Sequence, residues 1–511
     1  RVVGDPGVKE RASLTSGWTI ARSALWHLAG ESVPMLVAIT VLPFIIQGLG
    51  VERFGVLGIA WGVIGYFTLF DLGIGRALTR EISVKLASHR DDEIPETTAM
   101  SLLLLGTMGL VGAALLLLIT PWLVQDVLQI PAVLMEESRM AFYLLALSLP
   151  VILVTSGCQG VLVAHQRFDI LSLVRIPLGA FTFASPLLVL PFVASLPAMV
   201  GALLGARLLT LVVVLVVSFR MMPALRGARF RTERLIPLLH VGGWMTVSNV
   251  VGPLMVYLDR FIIGAVLSMS AVAFYVTPYE VVTKLWLIPA ALVGVLFPAF
   301  ASSATTDTRH LARLYERGLS YVTIALFPVV LTLTAFSAEG LELWLGPQFA
   351  DKSTVVLQWL VLGVFFNSVA HVPFALIQGM GRPDLTAKLH VVELPFYLLA
   401  CVWLVSGWGI LGAAIAWSAR VIVDGLVLLW LAANRLPGSL TPHRNLVLVW
   451  LGAALAWWMA MWLGNPLLKL GFVAVTLMIY GIVAWYVMLG DGERAMMQRA
   501  LRYLRFRRTG K

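Results

Sequence analysis

The sequence predicts an all-α polytopic membrane protein of about fourteen transmembrane helices, two pseudo-symmetric six-helix lobes plus two C-terminal helices. Three observations predict it. Of 511 residues, 59% are hydrophobic and only 13% are charged, about half the charged share of a soluble domain. Apolar runs of about 20 residues, enough to cross roughly 30 Å of hydrocarbon, recur from one end of the chain to the other. Short matches also recur at offsets of 211–219 positions. A soluble enzyme, a disulfide-framed secreted domain and a disordered chain are excluded, because none could present this composition to water.

Reading from charge to charge, spans are expected near 23–48, 54–78, 99–124, 139–163, 174–194 and 197–219, then near 238–266, 272–299, 318–337, 354–379, 389–407 and 411–433. Two more follow near 445–465 and 467–489. The corresponding partition is an N-terminal lobe (1–219), a basic linker (220–237), a C-terminal lobe (238–433), extra spans (434–489) and a basic tail (490–511). The chain opens at Arg1 on a polar stretch with no signal-peptide pattern, which reads as a trimmed start. Cys158 and Cys401 lie in separate apolar segments, so no disulfide framework or paired-cysteine metal site is expected.

The net charge of +10 is explained by topology, not by nucleic acid. With both termini in the cytoplasm, 29 of the 37 Lys and Arg residues fall on the cytoplasmic side, as the positive-inside rule requires. Arg53, Arg139, Lys352 and Lys469 lie at the outer side, and Arg207, Arg260, Lys284 and Arg420 lie within spans. In the tail, Met497, Leu501 and Leu504 recur at helical spacing among arginines. That pattern suits an amphipathic helix on anionic lipids of the inner leaflet, or simple anchoring of the topology.

The repeat is read from equivalent spans. Phe44-Ile45-Ile46 in span 1 matches Phe261-Ile262-Ile263 in span 7, and Gln159-Gly160 in span 4 matches Gln378-Gly379 in span 10. Each Gln-Gly precedes an aspartate, Asp169 or Asp384, and then a proline, Pro177 or Pro395. Arg207 in span 6 is echoed by Arg420 in span 12. Six spans per repeat is an even number, so the halves share one orientation and relate by an axis along the membrane normal.

Leu49-Gly-Val-Glu-Arg-Phe-Gly55, Phe70-Asp-Leu-Gly-Ile-Gly75 and Arg80-Glu81 resemble the first helical hairpin of Wzx-type O-antigen flippases. These belong to the polysaccharide-transport branch of the multidrug/oligosaccharidyl-lipid/polysaccharide (MOP) superfamily. Asp259-Arg260-Phe-Ile-Ile-Gly264, with Tyr275, Lys284, Pro289 and Phe297-Pro298, is similar to the matching hairpin of the second lobe, as is Gln159-Gly160 with Gln166-Arg167-Phe168-Asp169 to its own segment. The resemblance covers spans 1–12. It implies a MATE-like fold and export of an undecaprenyl-diphosphate-linked glycan across the bacterial inner membrane, with a glycan polymerase as a possible partner. Fourteen spans also suit lipid II flippases.

Ionisable residues within spans are costly and usually face a cavity or a partner. Arg260, Lys284, Arg207 and Arg420 are candidates to bind a diphosphate, because cations in a low-dielectric site offset its charge. Asn249, Tyr257 and Arg260 share one helical face of span 7 and extend that candidate site. Glu31, Asp71, Asp259 and Glu280 are candidates to carry a coupling proton or sodium ion. Glu280–Lys284 and Arg420–Asp424 are equally i,i+4 pairs able to neutralise one another, and Asp71 and Asp259 equally salt-bridge partners of Arg76 and Arg260. His27, His240, His371 and His390 receive no role, and Trp457, Trp458 and Trp462 read as interface anchors. No resident cofactor or catalytic residue is expected.

Three functions compete at this stage. A lipid-linked oligosaccharide flippase would rock two lobes around a cationic cavity. An ion-coupled drug or metabolite antiporter of the same fold would favour an acidic cavity instead. A glycan polymerase or ligase would need a sizeable outer loop with acid/base groups, and the expected loops are too short. The last two spans carry a single internal charge, Lys469, and suit either a greasy groove for a polyprenyl tail or a stabilising contact.

Overall fold

A computed structural model of the chain describes residues 17–69, 74–88, 90–165, 167–227, 243–303, 307–436, 440–495 and 498. Among them there are sixteen α-helices and no strand. The first seven are α1 (Gly17–Leu49), α2 (Val51–Leu69), α3 (Ile74–Ala87), α4 (Ile94–Trp122), α5 (Met135–Ala164), α6 (Phe168–Val189) and α7 (Leu196–Met221). They are followed by α8 (Gly243–Val266), α9 (Met269–Val282), α10 (Leu287–Ser303), α11 (Thr308–Ala335), α12 (Ser337–Leu345), α13 (Pro347–Gly379), α14 (Pro383–Ala433), α15 (Leu440–Met461) and α16 (Pro466–Val483).

Ten helical stretches among the described residues are long and apolar enough to cross a membrane. The expected span 2 falls on α2 and α3, and span 8 runs across α9, a 3₁₀ turn at Thr283–Trp286, and α10. Spans 11 and 12 lie together in α14, which turns at Gly409 with φ +62°, a conformation that glycine adopts without a Cβ clash. The chain is a multi-pass membrane protein built from helices.

By packing, the chain forms two compact units, Arg1–Thr277 with His390–Ala413, and Pro278–Leu389 with Ala414–Lys511. This division follows contact, whereas the sequence division at 219 and 238 follows the repeat. In the first unit, α8 packs along α2 because α2 offers it a strip of glycine. Gly55, Gly58, Gly62 and Gly65 are spaced three, four and three residues apart, which puts them on one helical face. A Cβ on Gly55 would fall on the Met269 carbonyl, one on Gly62 would sit 3.2 Å from Arg260 Cδ, and one on Gly65 would enter the Tyr257 ring. On α4, a Cβ at Gly109 would strike the Pro150 backbone of α5. Small residues let membrane helices approach closely where apolar burial gives no drive.

The repeat leaves matching local structures. Arg167 and Arg382 each end as the N-cap of a helix, α6 and α14. Arg167 donates to both carboxylate oxygens of Asp169, each at 3.1 Å. Arg382 donates likewise to Asp384, at 2.9 and 3.1 Å. The glycines of the two Gln-Gly pairs also match. Gly160 lies against the Gly75 carbonyl of α3, and Gly379 lies against Phe300 and the Ala301 nitrogen of α10.

In the second unit, α15 and α16 are fastened to α11 and α13 by polar side chains. The Trp450 indole donates to Thr323 Oγ1 at 3.1 Å, and the Tyr480 hydroxyl donates to the Thr323 carbonyl at 2.8 Å. Trp457 departs from the sequence reading. It is buried, donates to the Gln358 carbonyl at 2.9 Å and meets the Trp359 ring edge-on, so it is a packing residue. Trp458 and Trp462 are exposed, as interface anchors would be. Lys469 is buried and binds both oxygens of Glu339 on α12, at 2.7 and 2.9 Å. The tail helix expected around Met497–Leu504 lies outside the described residues.

Two predictions follow from this packing. Gly55→Ala and Gly109→Ala each force backbone apart and should cost about 1–3 kcal/mol. Gly294→Ala, where a Cβ meets open space, should cost none. Unfolding midpoints of the purified variants in detergent check this order. The second concerns Glu339, for which burial raises the carboxyl pKa but the Lys469 hydrogen bond, a backbone hydrogen bond and the Lys469 charge together outweigh it, leaving the group below its usual value. A depressed carboxyl stabilises the fold above its ordinary pKa of about 4.3, and that contribution disappears as pH falls through the folded value. Wild type should therefore lose stability in that acidic window, and Glu339→Gln should lose less over the same pH range in a melting series.

Candidate functional site

Charge and aromatic side chains gather at two places within the helices, one in each unit. In the first unit the site is carried by α8. Asp259 and Arg260 are both fully buried. Asp259 accepts the Arg260 backbone N–H at 2.7 Å and the Tyr275 hydroxyl at 2.5 Å, and its charge also interacts with the Arg260 guanidinium. Arg260 Nη1 donates to the Gly58 carbonyl at 3.2 Å, and the guanidinium carbon sits 5.2 Å from the centre of the Tyr257 ring. The approach to Gly58 is open only because the α2 face lacks side chains there. An ion pair at this depth survives because each charge has hydrogen-bond partners.

A second polar face reaches the same region from the first half of α14. His390, Glu393, Tyr397 and Cys401 are all buried and spaced three, four and four residues apart, which aligns them along one side of the helix. A Cβ added at Gly252 on α8 would come 4.0 Å from His390 Nδ1. Cys401 is hydrogen bonded with Tyr397 and interacts with the charge of Asp259. The two helices thus run side by side, with a histidine and two carboxylic acids along their shared face. The sequence reading gave His390 no role and did not single out Glu393. The usable signal was their spacing with Tyr397, a polar stripe in an apolar span.

The second unit holds the other group. Pro289 has no N–H for the Leu285 carbonyl, and the helix tightens there into the 3₁₀ turn at Thr283–Trp286. Lys284 in that turn lies 3.7 Å from Glu280, with both side chains partly exposed. Beside them, Tyr279 meets Trp417 edge-on at 5.5 Å, and Trp286 lies 6.5 Å from Trp417 and 6.4 Å from His371. Gly363 on α13 makes room for the Trp417 ring. Arg420 follows one turn after Trp417 on α14 and is half-buried, with Asp424 buried a turn further on.

The expected site residues therefore divide. Asp259, Arg260 and Tyr257 come together in the first unit, and Glu280, Lys284 and Arg420 lie in the second. Arg207 is buried on α7 with its Nε lacking a hydrogen-bond partner among the described residues. Asn249 and Glu31 lie on described helices, but their side chains are outside the described set, and Asp71 is outside it altogether.

The fold that carries these groups is that of the MATE transporters. A solved inward-facing multidrug resistance MATE transporter of the MOP superfamily matches with a TM-score of 0.66 at 16% identity, covering 81% of this chain and 94% of that one. Residues 49–354 match the family described as polysaccharide biosynthesis protein. A candidate O-antigen transporter of Shigella flexneri is 34% identical over 81% of this chain and 97% of its own length. A candidate low-salt glycan biosynthesis flippase, Agl15, of Haloferax volcanii is 24% identical over 39% of this chain and 42% of its own. The chain belongs to the polysaccharide biosynthesis protein family.

The geometry at α8 yields a test of coupling. Arg260→Met should strand the Asp259 carboxylate and cost about 3–5 kcal/mol, the usual effect of breaking a buried pair. The double variant Asp259→Asn with Arg260→Met should cost clearly less than the sum of the singles. A double-mutant cycle on unfolding midpoints measures this, and simple additivity would show that the two groups act independently.

Proposed function

We propose that this protein is a flippase that moves an undecaprenyl-diphosphate-linked oligosaccharide from the cytoplasmic to the periplasmic leaflet of a bacterial inner membrane. The observation that carries the reading is the near full-length similarity to an O-antigen transporter candidate within a polysaccharide biosynthesis family. The intramembrane cations support it. Lys284 and Arg420 offer positive charge for a diphosphate within the second unit, and Arg207 is a buried guanidinium in the first. Transport proceeds by alternating access of the two six-span repeats around a cationic path, with both termini in the cytoplasm. The basic tail rests on anionic lipids, and a glycan polymerase receives the product. The chain acts as a carrier and not as a catalyst.

A second reading, an ion-coupled drug or metabolite antiporter, has one observation in its favour, the fold shared with multidrug transporters. A fold hosts many substrates, so this observation alone does not decide between them. A coupling proton or sodium ion, in either reading, would be carried by acids within the helices such as Asp259, Glu280 and Glu393.

Reconstitution separates the two. Proteoliposomes holding the full chain should transfer a labelled undecaprenyl-diphosphate-linked saccharide between leaflets and should fail to move a fluorescent cationic drug. Lys284→Ala should slow saccharide transfer at least about tenfold, the loss expected for one charge-assisted contact, with membrane abundance unchanged. Drug movement without saccharide transfer would establish the antiporter, and full-rate transfer by Lys284→Ala would remove that residue from the path.

A further inference from the structure

We infer that the aromatic group at the 3₁₀ turn of the second unit is a sugar-binding platform, on which Trp286 stacks a hexose ring of the cargo while Lys284 and Glu280 engage its polar groups. The inference deepens the flippase reading and rests on it for the identity of the cargo. Its own support is local. Tryptophan indoles that are buried normally find an acceptor. Here two adjacent ones do not: Nε1 of Trp286 and Nε1 of Trp417 are buried with no hydrogen-bond partner among the described residues. An indole donor left unpaired in a hydrocarbon-embedded helix carries a free-energy cost, and such exceptions ask for an explanation.

The arrangement around the two donors matches the chemistry of a pyranose. A pyranose has an apolar face of C–H groups and a rim of hydroxyls. Trp417 is 1% exposed and forms a floor, braced edge-on by Tyr279. Trp286 lies beside it at 6.5 Å and is only half-buried, so part of its ring is open to a partner. The tight 3₁₀ turn holds Lys284 two residues before this ring, and Lys284 in turn pairs with Glu280, six residues before it and like it partly exposed. A partly open aromatic face with a cation and a carboxylate close by on the chain offers stacking, a donor and an acceptor together, above two buried indole donors that have no acceptor among the described residues. An apolar drug would need the face alone, and a bare diphosphate would need the cation alone. The sugar uses all of them.

The test separates the sugar from the diphosphate. The full chain in nanodiscs is titrated with two probes, the lipid-linked saccharide extracted from cells deleted for this chain, and undecaprenyl diphosphate alone. Binding is followed by labelled-lipid retention, and transfer by the wild type is measured in proteoliposomes in parallel. Trp286→Ala should weaken binding of the saccharide-bearing lipid about tenfold and leave undecaprenyl diphosphate unchanged, while Trp286→Phe keeps affinity within about threefold. Equal weakening of both probes, or of neither, by a Trp286→Ala protein that elutes like wild type would overturn the platform. If that protein does not fold, Trp286→Phe and Trp286→Leu decide: affinity for the saccharide-bearing lipid that is the same in both overturns it. Sugar-selective binding without transfer by the wild type would keep the platform and remove the flippase reading.

Discussion

Close backbone approach at glycine, in a solvent that gives helices no apolar reason to associate, is the constraint on which this structure rests. Lipid tails are as apolar as leucine, so helix pairs are held by contact distance and by the few polar groups they share. Gly55, Gly62 and Gly65 on α2 are positions where any side chain would displace α9 or α8. The same strip opens the Gly58 carbonyl to Arg260, which converts a packing feature into an electrostatic one. A buried guanidinium needs acceptors, and a backbone carbonyl on a neighbouring helix is reachable only where no Cβ stands in the way.

Polar groups elsewhere obey the same economy. Thr323 receives both Trp450 and Tyr480, so two helices of the C-terminal pair share one anchor. Glu137 accepts from Arg53 at 3.0 Å and from the Leu196 nitrogen at 2.7 Å, joining the N-terminal ends of α2, α5 and α7. Each such group is costly alone in hydrocarbon and inexpensive once shared. A few buried polar atoms have no hydrogen-bond partner among the described residues, Arg207 Nε, Trp286 Nε1 and Trp417 Nε1 among them.

The repeat shows how an inherited pattern is put to use. Arg167–Asp169 and Arg382–Asp384 form the same two-pronged pair at the start of α6 and of α14. Gly160 and Gly379 make the same kind of close contact with the hairpin helix of their own half. The charged residues differ between the halves: Asp259 and Arg260 in span 7 have Leu42 and Pro43 at the aligned positions of span 1. The local pairs and glycine contacts are thus common to the two halves, whereas the Asp259–Arg260 group belongs to one of them.

The sequence by itself determined the class of the protein and the approximate course of its spans, and it carries the charge asymmetry and the short repeated matches from which topology and repeat are read. These follow from local hydropathy, counts of Lys and Arg, and spacing along the chain, none of which depends on which helices touch. It also placed Glu280 opposite Lys284, because an i,i+4 pair meets through helix geometry alone. Only the tertiary structure decided what each remaining charge meets. Arg260 goes to a carbonyl 202 residues away, His390 and Glu393 line up beside α8, and Trp457 turns inward to Gln358. Such partnerships are set by which faces pack together over long chain separation, and periodicity reports only that a face exists, not what it will be pressed against.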